Sequence, residues 1–192
     1  MITYRQVDQT MFPSYDAIPM DFSEHRVYQI QKLDRGLGGF LLAETEVPPF
    51  YKDFRVAGEA GPTQWAAQFD LSHWCFFMAF DDARPVGAAA VAMRTPGMDL
   101  LAGRDDLAVL WDLRVEEPFR RQGIGQTLFR LSADRARQLG CSQLKIECQN
   151  NNVPAVRFYH GQGAVLSAVD EYAYYHEPAC RHEAQLIWYL DL

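Results

Sequence analysis

The loop from Arg120 to Gly125 constrains the fold more than any other segment, because apolar residues flank it in two different patterns. Before it, residues 107–115 are apolar at most positions, which predicts a strand covered on both faces. After it, residues 126–139 place apolar side chains at helical spacing. A helix that begins after a glycine loop directs its unpaired N–H groups and its positive end at that loop. The segment therefore predicts an anion site, most often for phosphate, and its two arginines suit a pyrophosphate.

Charge and hydropathy exclude several classes of protein. The chain has 192 residues and a formal net charge of −7, which argues against nucleic-acid binding and suits a cationic ligand. Its longest apolar run, Val86 to Met93, is too short to cross a membrane, and its first residues lack the apolar core of a signal peptide. The cysteines show no paired spacing, so we expect reduced thiols and a cytoplasmic location.

Alternating and helical patterns follow one another without a dividing linker, so we expect one domain over residues 1–192. Strands are predicted at residues 26–33, 40–47, 75–80, 86–93, 107–115, 143–149, 165–172 and 184–190, and helices at residues 62–69, 126–139 and 153–160. Pro48 and Pro49 are expected to end the second strand, and the rest of residues 50–74 gives no clear pattern. Antiparallel hairpins followed by a β-loop-α-β-α run predict an α/β (α+β) fold with a mixed sheet.

Two common phosphate-binding motifs do not match the loop. A Walker A loop requires a lysine beside its second glycine, and neither Gly123 nor Gly125 has one. A dinucleotide-binding loop requires a third small residue at the position where this chain has Leu128. The anion must therefore belong to a ligand of another class.

A third pattern fits both this loop and a later segment. R-x-x-G-x-G at Arg120, Gly123 and Gly125 resembles the acetyl-CoA loop of the GNAT acetyltransferase superfamily. The superfamily's second signature, N-x-x-A-x-x-[aromatic or Leu]-Y-x-x-x-G, is met by Asn152, Ala155, Phe158, Tyr159 and Gly163. Further resemblance to the streptothricin acetyltransferase branch lies in residues 27–52, 147–152, 158–160 and 187–190. The resemblance implies a mostly antiparallel sheet with a splayed central parallel pair and flanking helices, although Ala164 stands where the superfamily usually has Phe.

The same resemblance implies acetyl-CoA as the acetyl donor and indicates its contacts. Backbone N–H groups of the loop would hold the pyrophosphate beside two arginines, in the set Arg120, Arg121, Gln122, Gly123, Ile124, Gly125 and Gln126. The pantetheine arm would pair with the backbone of Leu113, Arg114 and Val115 like an added strand. The remaining contacts would come from Asn152, Ala155 and Phe158. Asn152 could at the same time cap the helix that follows it.

Three side chains are candidates for the proton transfers. By resemblance, Tyr159 is the general acid toward the departing thiolate, and the alternative is a core tyrosine. Glu147 is the first candidate for the base, because it lies five residues before Asn152, as the catalytic glutamate does in some superfamily members. Asp112 is the second, because a carboxylate in an apolar strand is costly unless it is paired or functional. Either carboxylate could instead bind the substrate's ammonium group or form a structural pair.

A late segment combines acids with aromatic rings. Asp170, Tyr172 and Tyr174 are candidates for binding a cationic substrate through ion pairs and cation–π contacts. A solvated loop with ordinary surface tyrosines is an equally good interpretation of these residues. The nearby His and Cys residues are too unevenly spaced for a tetrahedral metal site, so we expect no metal.

These features predict an N-acetyltransferase in which a primary amine of a small cationic molecule attacks acetyl-CoA directly. By resemblance, streptothricin-type antibiotics come first among the acceptors. Two alternatives stay open, namely acetylation of a protein or peptide amine and a non-catalytic acyl-CoA-binding regulator. We expect a small-molecule partner and neither nucleic acid nor membrane; because superfamily members commonly dimerise, a homodimer is a further expectation.

Overall fold

A computed structural model describes residues 1–55 and 61–192. The strands are β1 (Ile2–Val7), β2 (Asp21–Lys32), β3 (Phe40–Asp53), β4 (Cys75–Asp81), β5 (Arg84–Met93), β6 (Leu107–Val115), β7 (Gln143–Gln149), β8 (Val165–Asp170) and β9 (Gln185–Asp191). The helices are α1 (Phe12–Asp16), α2 (Pro62–Gln68), α3 (Ile124–Gln138) and α4 (Val153–Gly161). The chain packs as two units, the first from Met1–Met20, Asp53–Ile146 and Leu190–Leu192, the second from Asp21–Lys52 and Glu147–Tyr189.

The first unit contains strands in the order β1-β4-β5-β6-β7, and β7 belongs to it as far as Ile146. Neighbouring strands run antiparallel except β6 and β7, which form the expected parallel pair. That parallel ladder joins Leu107–Leu110 to Gln143–Ile146 and goes no further, although β6 continues to Val115. The predicted mixed, mostly antiparallel sheet is therefore confirmed, with a parallel pair that stops short of the strand ends.

Helix α3 packs directly on β5 because one position of that strand lacks a side chain. A Cβ atom on Gly87 would lie 3.2 Å from both Ile124 Cγ2 and Leu128 Cδ1, which is tighter than most side-chain contacts. Ile124 and Leu128 are buried, as their helical spacing predicts. The same Cβ atom would lie 3.2 Å from Arg114 O, so this close packing fixes the start of α3 beside the end of β6.

The second unit joins the β2–β3 hairpin, α4 and the antiparallel pair β8–β9, and Asn150 links several of these parts. The Asn150 backbone accepts from Tyr28 N (2.9 Å) and donates to Ala184 O (2.9 Å). Its side-chain amide donates to Tyr28 O (2.9 Å) and accepts from Ala184 N (2.8 Å). One asparagine thus supplies hydrogen-bond partners to the backbone N–H and C=O groups of both neighbouring segments, and it holds the end of β7 in place.

Predictions for the first third of the chain are partly wrong. Pro48 and Pro49 do not end the second strand, because β3 continues to Asp53. Proline is tolerated there because a two-stranded ribbon has positions whose N–H group faces away from the partner strand. Strand β1 and helix α1 have no counterpart among the predicted elements. The helix predicted at residues 62–69 is confirmed as α2, residues 56–60 lie outside the described residues, and the single domain stays a prediction.

Candidate functional site

The start of α3 presents backbone donors to open space. Gly123 is the N-cap residue, with a left-handed backbone (φ +82°) and no side-chain cap. Thr127 N donates to Gly123 O (3.0 Å), so the N–H groups of Ile124, Gly125 and Gln126 have no acceptor inside the helix. A Cβ atom on Gly123 would meet nothing within 4 Å. The open donors and the positive helix end fit a pyrophosphate, as the sequence predicts.

The residues just before α3 are fixed by their own contacts. Arg120 folds back onto β6, where its Nε donates to Val115 O (2.7 Å). Gln122 Nε2 donates to Pro118 O (2.9 Å). Arg121 is exposed and has a left-handed backbone (φ +62°), which costs about 1–2 kcal/mol for a residue with a Cβ atom. Backbone strain of this kind is typical of ligand-binding loops. The strained residue here, Arg121, carries a positive charge and lies beside the start of α3.

Strand β6 contains a bulge before it reaches this loop. Its register with β5 pairs Leu110 with Val91 and Asp112 with Ala90, which leaves Trp111 as an extra residue. A bulge of this kind bends the strand and changes the direction of the side chains that follow, and bulges are frequent beside active sites. Here it separates the fully buried first half of β6 from the half that leads to α3.

The end of β6 has an edge on which an extended ligand can pair. Glu116 N donates to Val86 O (2.9 Å), which identifies the side of the strand that faces β5. Because successive residues direct their backbone groups to opposite sides, those of Leu113 and Val115 point away from β5. The ladder with β7 has ended before this point, so no ladder in the described residues joins them to another strand. The Val115 carbonyl already accepts a hydrogen bond from Arg120. The Val115 N–H group and the Leu113 N–H and C=O groups are the groups of this edge on which a ligand can pair.

Asp112 is buried in an ion pair. Its Oδ2 accepts from Arg114 Nε (2.7 Å) and from the Tyr15 hydroxyl (2.6 Å), and the side chains of Asp112 and Arg114 are 0% and 2% exposed. Arg114 also donates to Ile18 O (3.3 Å). Burial, and then the charge of Asp112, raises the pKa of Tyr15 well above its ordinary value, so its hydroxyl stays protonated and donates. These contacts favour the structural pair that the sequence offered as one interpretation of Asp112.

Tyr15 is a site residue that the sequence did not reveal. It lies 97 residues before its partner Asp112, in a helix that no sequence pattern predicts. The one available signal was the i, i+2 spacing of Asp112 and Arg114, which places two opposite charges on one face of a strand. That spacing indicates a buried pair but says nothing about a third partner.

In the second unit the fold brings together Glu147 and Tyr174, two of the predicted site residues. The Tyr174 hydroxyl donates a hydrogen bond to Glu147 Oε1. Gln149 Nε2 donates to the Tyr174 hydroxyl oxygen (3.4 Å). Glu147 is half-buried, whereas Ile146 and Cys148 on either side of it are buried, as strand alternation predicts. Gln149 was not singled out from the sequence, although its i+2 spacing from Glu147 put it on the same face.

Helix α4 carries the residues of the second sequence signature. Asn152 is its N-cap, and the Asn152 side-chain oxygen accepts from Ala155 N (3.2 Å), so the predicted cap is confirmed. Tyr159 is buried on the face of α4 that also buries two valines. Phe158 and Ala155 are half-buried. The catalytic role of Tyr159 and the cofactor contacts of the other three residues stay predictions.

Asp170 and Tyr172 have partners within the second unit. Asp170 Oδ1 accepts from Tyr172 N (2.8 Å), which forms a turn. Lys32 forms an ion pair with Glu171 and lies over the Tyr172 ring, 5.9 Å from the ring centroid. Both side chains therefore already contact groups of this chain, which favours the solvated-loop interpretation. Substrate binding by Asp170 and Tyr172 stays a prediction.

The described ranges contain no group of three or more His, Cys, Asp or Glu side chains that could hold a metal ion. They also contain no helix long and apolar enough to span a membrane. No disulfide joins the cysteines in the described part of the chain, and burial raises the pKa of the Cys148 thiol to about 12. A thiol that stays protonated at neutral pH is a poor nucleophile. Cys148 is therefore a poor candidate for a nucleophile, even though it directly follows the candidate base Glu147 in the chain.

Comparisons with known proteins identify the family to which the chain belongs. The family model described as "Acetyltransferase (GNAT) family" matches residues 35–164, which is more than half of the chain and includes both sequence signatures. The chain belongs to the GNAT acetyltransferase family. A streptothricin acetyltransferase of Escherichia coli is 24% identical over 184 residues, which cover 94% of this chain and 93% of that protein. One from Streptomyces lavendulae is 30% identical over 137 residues, which cover 71% and 68%.

The GNAT fold is also found in a solved structure with bound cofactor. A Bacillus anthracis str. Ames protein in complex with acetyl coenzyme A matches 100% of this chain and 98% of its own, with a TM-score of 0.78 and 17% identity. This GNAT acetyltransferase is therefore an acetyl-CoA-dependent N-acetyltransferase of the streptothricin acetyltransferase branch. Membership of this acetyltransferase family makes acetyl-CoA its acetyl donor, as the loop motif predicts.

A stability measurement separates the two roles of Asp112. Asp112→Asn leaves the Arg114 charge buried without its counter-ion, so we expect a loss of about 3–5 kcal/mol in the free energy of unfolding, measured with urea. Asp134→Asn is the matched control, because Asp134 pairs with Arg137 (2.7 Å) with both side chains about half exposed. We expect a change below about 0.5 kcal/mol there. Wild-type stability combined with a loss of most of the kcat would instead identify Asp112 as the general base.

Proposed function

We propose that this GNAT acetyltransferase acetylates a primary amine of a streptothricin-type antibiotic. The observation that carries the proposal is the alignment with two streptothricin acetyltransferases, which extends over 94% of the chain in one case and reaches 30% identity in the other. The net charge of −7 supports it, because an acidic protein attracts a cationic acceptor. The cytoplasmic location and the homodimer expected from the sequence belong to the same proposal.

The first unit holds the acetyl donor in this proposal. The pyrophosphate meets the N–H groups from Gly123 to Gln126, and Arg121 adds positive charge beside them. The pantetheine arm pairs with the backbone of Leu113 and Val115 at the edge of β6. N–H groups of the same edge stabilise the oxyanion that develops on the acetyl carbonyl. Arg114 lies between these two residues, but its backbone groups face β5 and its side chain is paired with Asp112, so the cofactor contact expected of Arg114 is left out of this proposal.

The acceptor amine attacks the thioester directly. Its nitrogen forms a bond to the acetyl carbon, the carbon–sulfur bond breaks, one proton leaves the amine and one proton is added to the departing thiolate. Tyr159 is the proton donor to the thiolate of coenzyme A, because phenols and thiols have similar acidity. Asn152 holds the pantetheine arm with its amide. The buried, protonated thiol of Cys148 argues against a route through an acetylated cysteine.

Glu147 is the base in this proposal, in preference to Asp112. Glu147 is half-buried, so one part of its carboxylate can meet an incoming amine or a bridging water. Asp112 is fully buried, and its Oδ2 already accepts two hydrogen bonds, from Arg114 and Tyr15. Asp112 Oδ1 has no hydrogen-bond partner among the described residues, but a proton added there would remove the counter-charge of the buried Arg114, which makes Asp112 a costly base.

Initial rates of coenzyme A release, followed with a thiol reagent, test the proposal. The acceptors are intact streptothricin and a panel of peptides with free N-termini and lysines. We expect kcat/KM to be at least about 100-fold higher for streptothricin, since a site built for one amine discriminates strongly against others. Faster turnover of a peptide would favour acetylation of protein amines. Tight acetyl-CoA binding without thiol release from any acceptor would favour a non-catalytic regulator.

A further inference from the structure

Tyr174 differs from the other tyrosines in its loop by pointing at the Glu147 carboxylate. Tyr172 and Tyr175 are 70% and 64% exposed, whereas Tyr174 is half-buried and donates to Glu147 Oε1. Tyr174 lies 27 residues after Glu147, so the contact depends on the fold of the second unit rather than on a local pattern. Tyr174 thus reaches the proposed base, Glu147, from a separate segment of the chain.

Two neighbours, Gln149 and Glu147, determine the direction of the Tyr174 O–H bond. Gln149 Nε2 donates to the hydroxyl oxygen (3.4 Å), so this oxygen acts as the acceptor toward Gln149 and its proton is directed to Glu147. The Tyr174 backbone is held as well, because its carbonyl accepts from Glu177 N (2.9 Å) in a turn. A glutamate side chain otherwise samples several rotamers, and each contact that orders it removes alternatives.

We propose that Tyr174 is a positioning residue, whose hydroxyl fixes Oε1 of Glu147 and so leaves Oε2 to receive the proton of the acceptor amine. The proposal rests on the proposed function of Glu147 as the base. It gives Tyr174 a role other than the direct substrate contact expected from the sequence. Orientation of a catalytic group is worth a large factor in rate, because a displacement of about 1 Å can cost about 100-fold.

A kinetic double-mutant cycle tests whether Tyr174 acts through Glu147. Tyr174→Phe should lower kcat with streptothricin about 10- to 100-fold and leave the KM for acetyl-CoA within about twofold of wild type. In a Glu147→Gln background, which already lacks the base, the same substitution should have no further effect. Tyr175→Phe removes an exposed hydroxyl from the same loop, and we expect wild-type kcat in both backgrounds. Wild-type kcat in Tyr174→Phe, or equal losses in both backgrounds, would overturn the proposal.

A spectroscopic measurement keeps this test independent of the substrate. With ¹³C-labelled glutamate, the carboxyl resonance of Glu147 is identified by its loss in Glu147→Gln. We expect this resonance to move in Tyr174→Phe and to stay in place in Tyr175→Phe. If streptothricin is not turned over but the resonance moves, the proposed function has failed and the positioning contact is supported. An unchanged resonance in Tyr174→Phe overturns the positioning role whatever the acceptor is.

Discussion

Replacing Gly123 with aspartate is expected to weaken acetyl-CoA binding at least about 100-fold, equivalent to about 2.7 kcal/mol. The new side chain would project from the N-cap of α3 into the open space where the pyrophosphate is proposed to bind. Its carboxylate would interact with the positive helix end in place of the phosphates and would repel them. Isothermal titration calorimetry of acetyl-CoA at one fixed salt concentration measures the change in Kd.

Gly97→Asp is the matched control for this substitution. Gly97 also has a left-handed backbone (φ +77°), and a Cβ atom there would meet nothing within 4 Å. The two variants therefore carry similar backbone strain and the same added charge, and of the two glycines only Gly123 is the N-cap of an α-helix. We expect Gly97→Asp to bind acetyl-CoA as the wild type does. Wild-type affinity in Gly123→Asp would show that the loop does not hold the cofactor, and equal weakening in both would point to an effect of charge alone.

Tyr159→Phe is expected to lower kcat about 10²- to 10⁴-fold, the contribution of a positioned general acid. Acetyl-CoA affinity should stay unchanged, because the phenyl ring fills the same buried space on α4 and only the hydroxyl is lost. Steady-state kinetics with streptothricin and calorimetry with acetyl-CoA measure the two quantities separately. Tyr175→Phe, at an exposed tyrosine of the same unit, should change neither.

The core-tyrosine interpretation of Tyr159 predicts a different outcome for the same variant. In that case the free energy of unfolding would fall, since a buried hydroxyl loses its hydrogen bond, and the folded protein would keep its kcat. A Tyr159→Phe enzyme with wild-type kcat would thus refute the acid assignment. Urea unfolding of the variant, run beside the kinetics, distinguishes the two cases.

The parts of the site that depend on local rules could be predicted from the sequence. Strands β6 and β7 have the bounds that their apolar patterns predict, and Gly123 and Asn152 occupy the helix starts where glycine and asparagine are favoured. Each of these features is determined by residues within a few positions of one another. The loop proposed to hold acetyl-CoA belongs to this group, so its motif could be recognised from the sequence alone.

Contacts between distant segments could not be predicted in the same way. The sequence makes Asp112 a candidate base, because a carboxylate in an apolar strand is costly unless it is paired or functional. Its ion-pair partner Arg114 is two residues away, whereas its third partner, Tyr15, lies 97 residues away and has no local signal. The sequence predicts separate roles for Glu147 and Tyr174, whereas their side chains are hydrogen-bonded. Strand pairing also overrides local propensity, as β3 continues through Pro48 and Pro49. In each case the interaction that the local pattern does not reveal is tertiary.

The most direct test of the central claim uses the purified enzyme with acetyl-CoA and intact streptothricin as its only substrates. We predict saturable release of coenzyme A, with one equivalent of monoacetylated streptothricin formed for each thiol released, measured by thiol assay and mass spectrometry. Coenzyme A release no faster than in the absence of the antibiotic, with its mass unchanged, would contradict the proposed function.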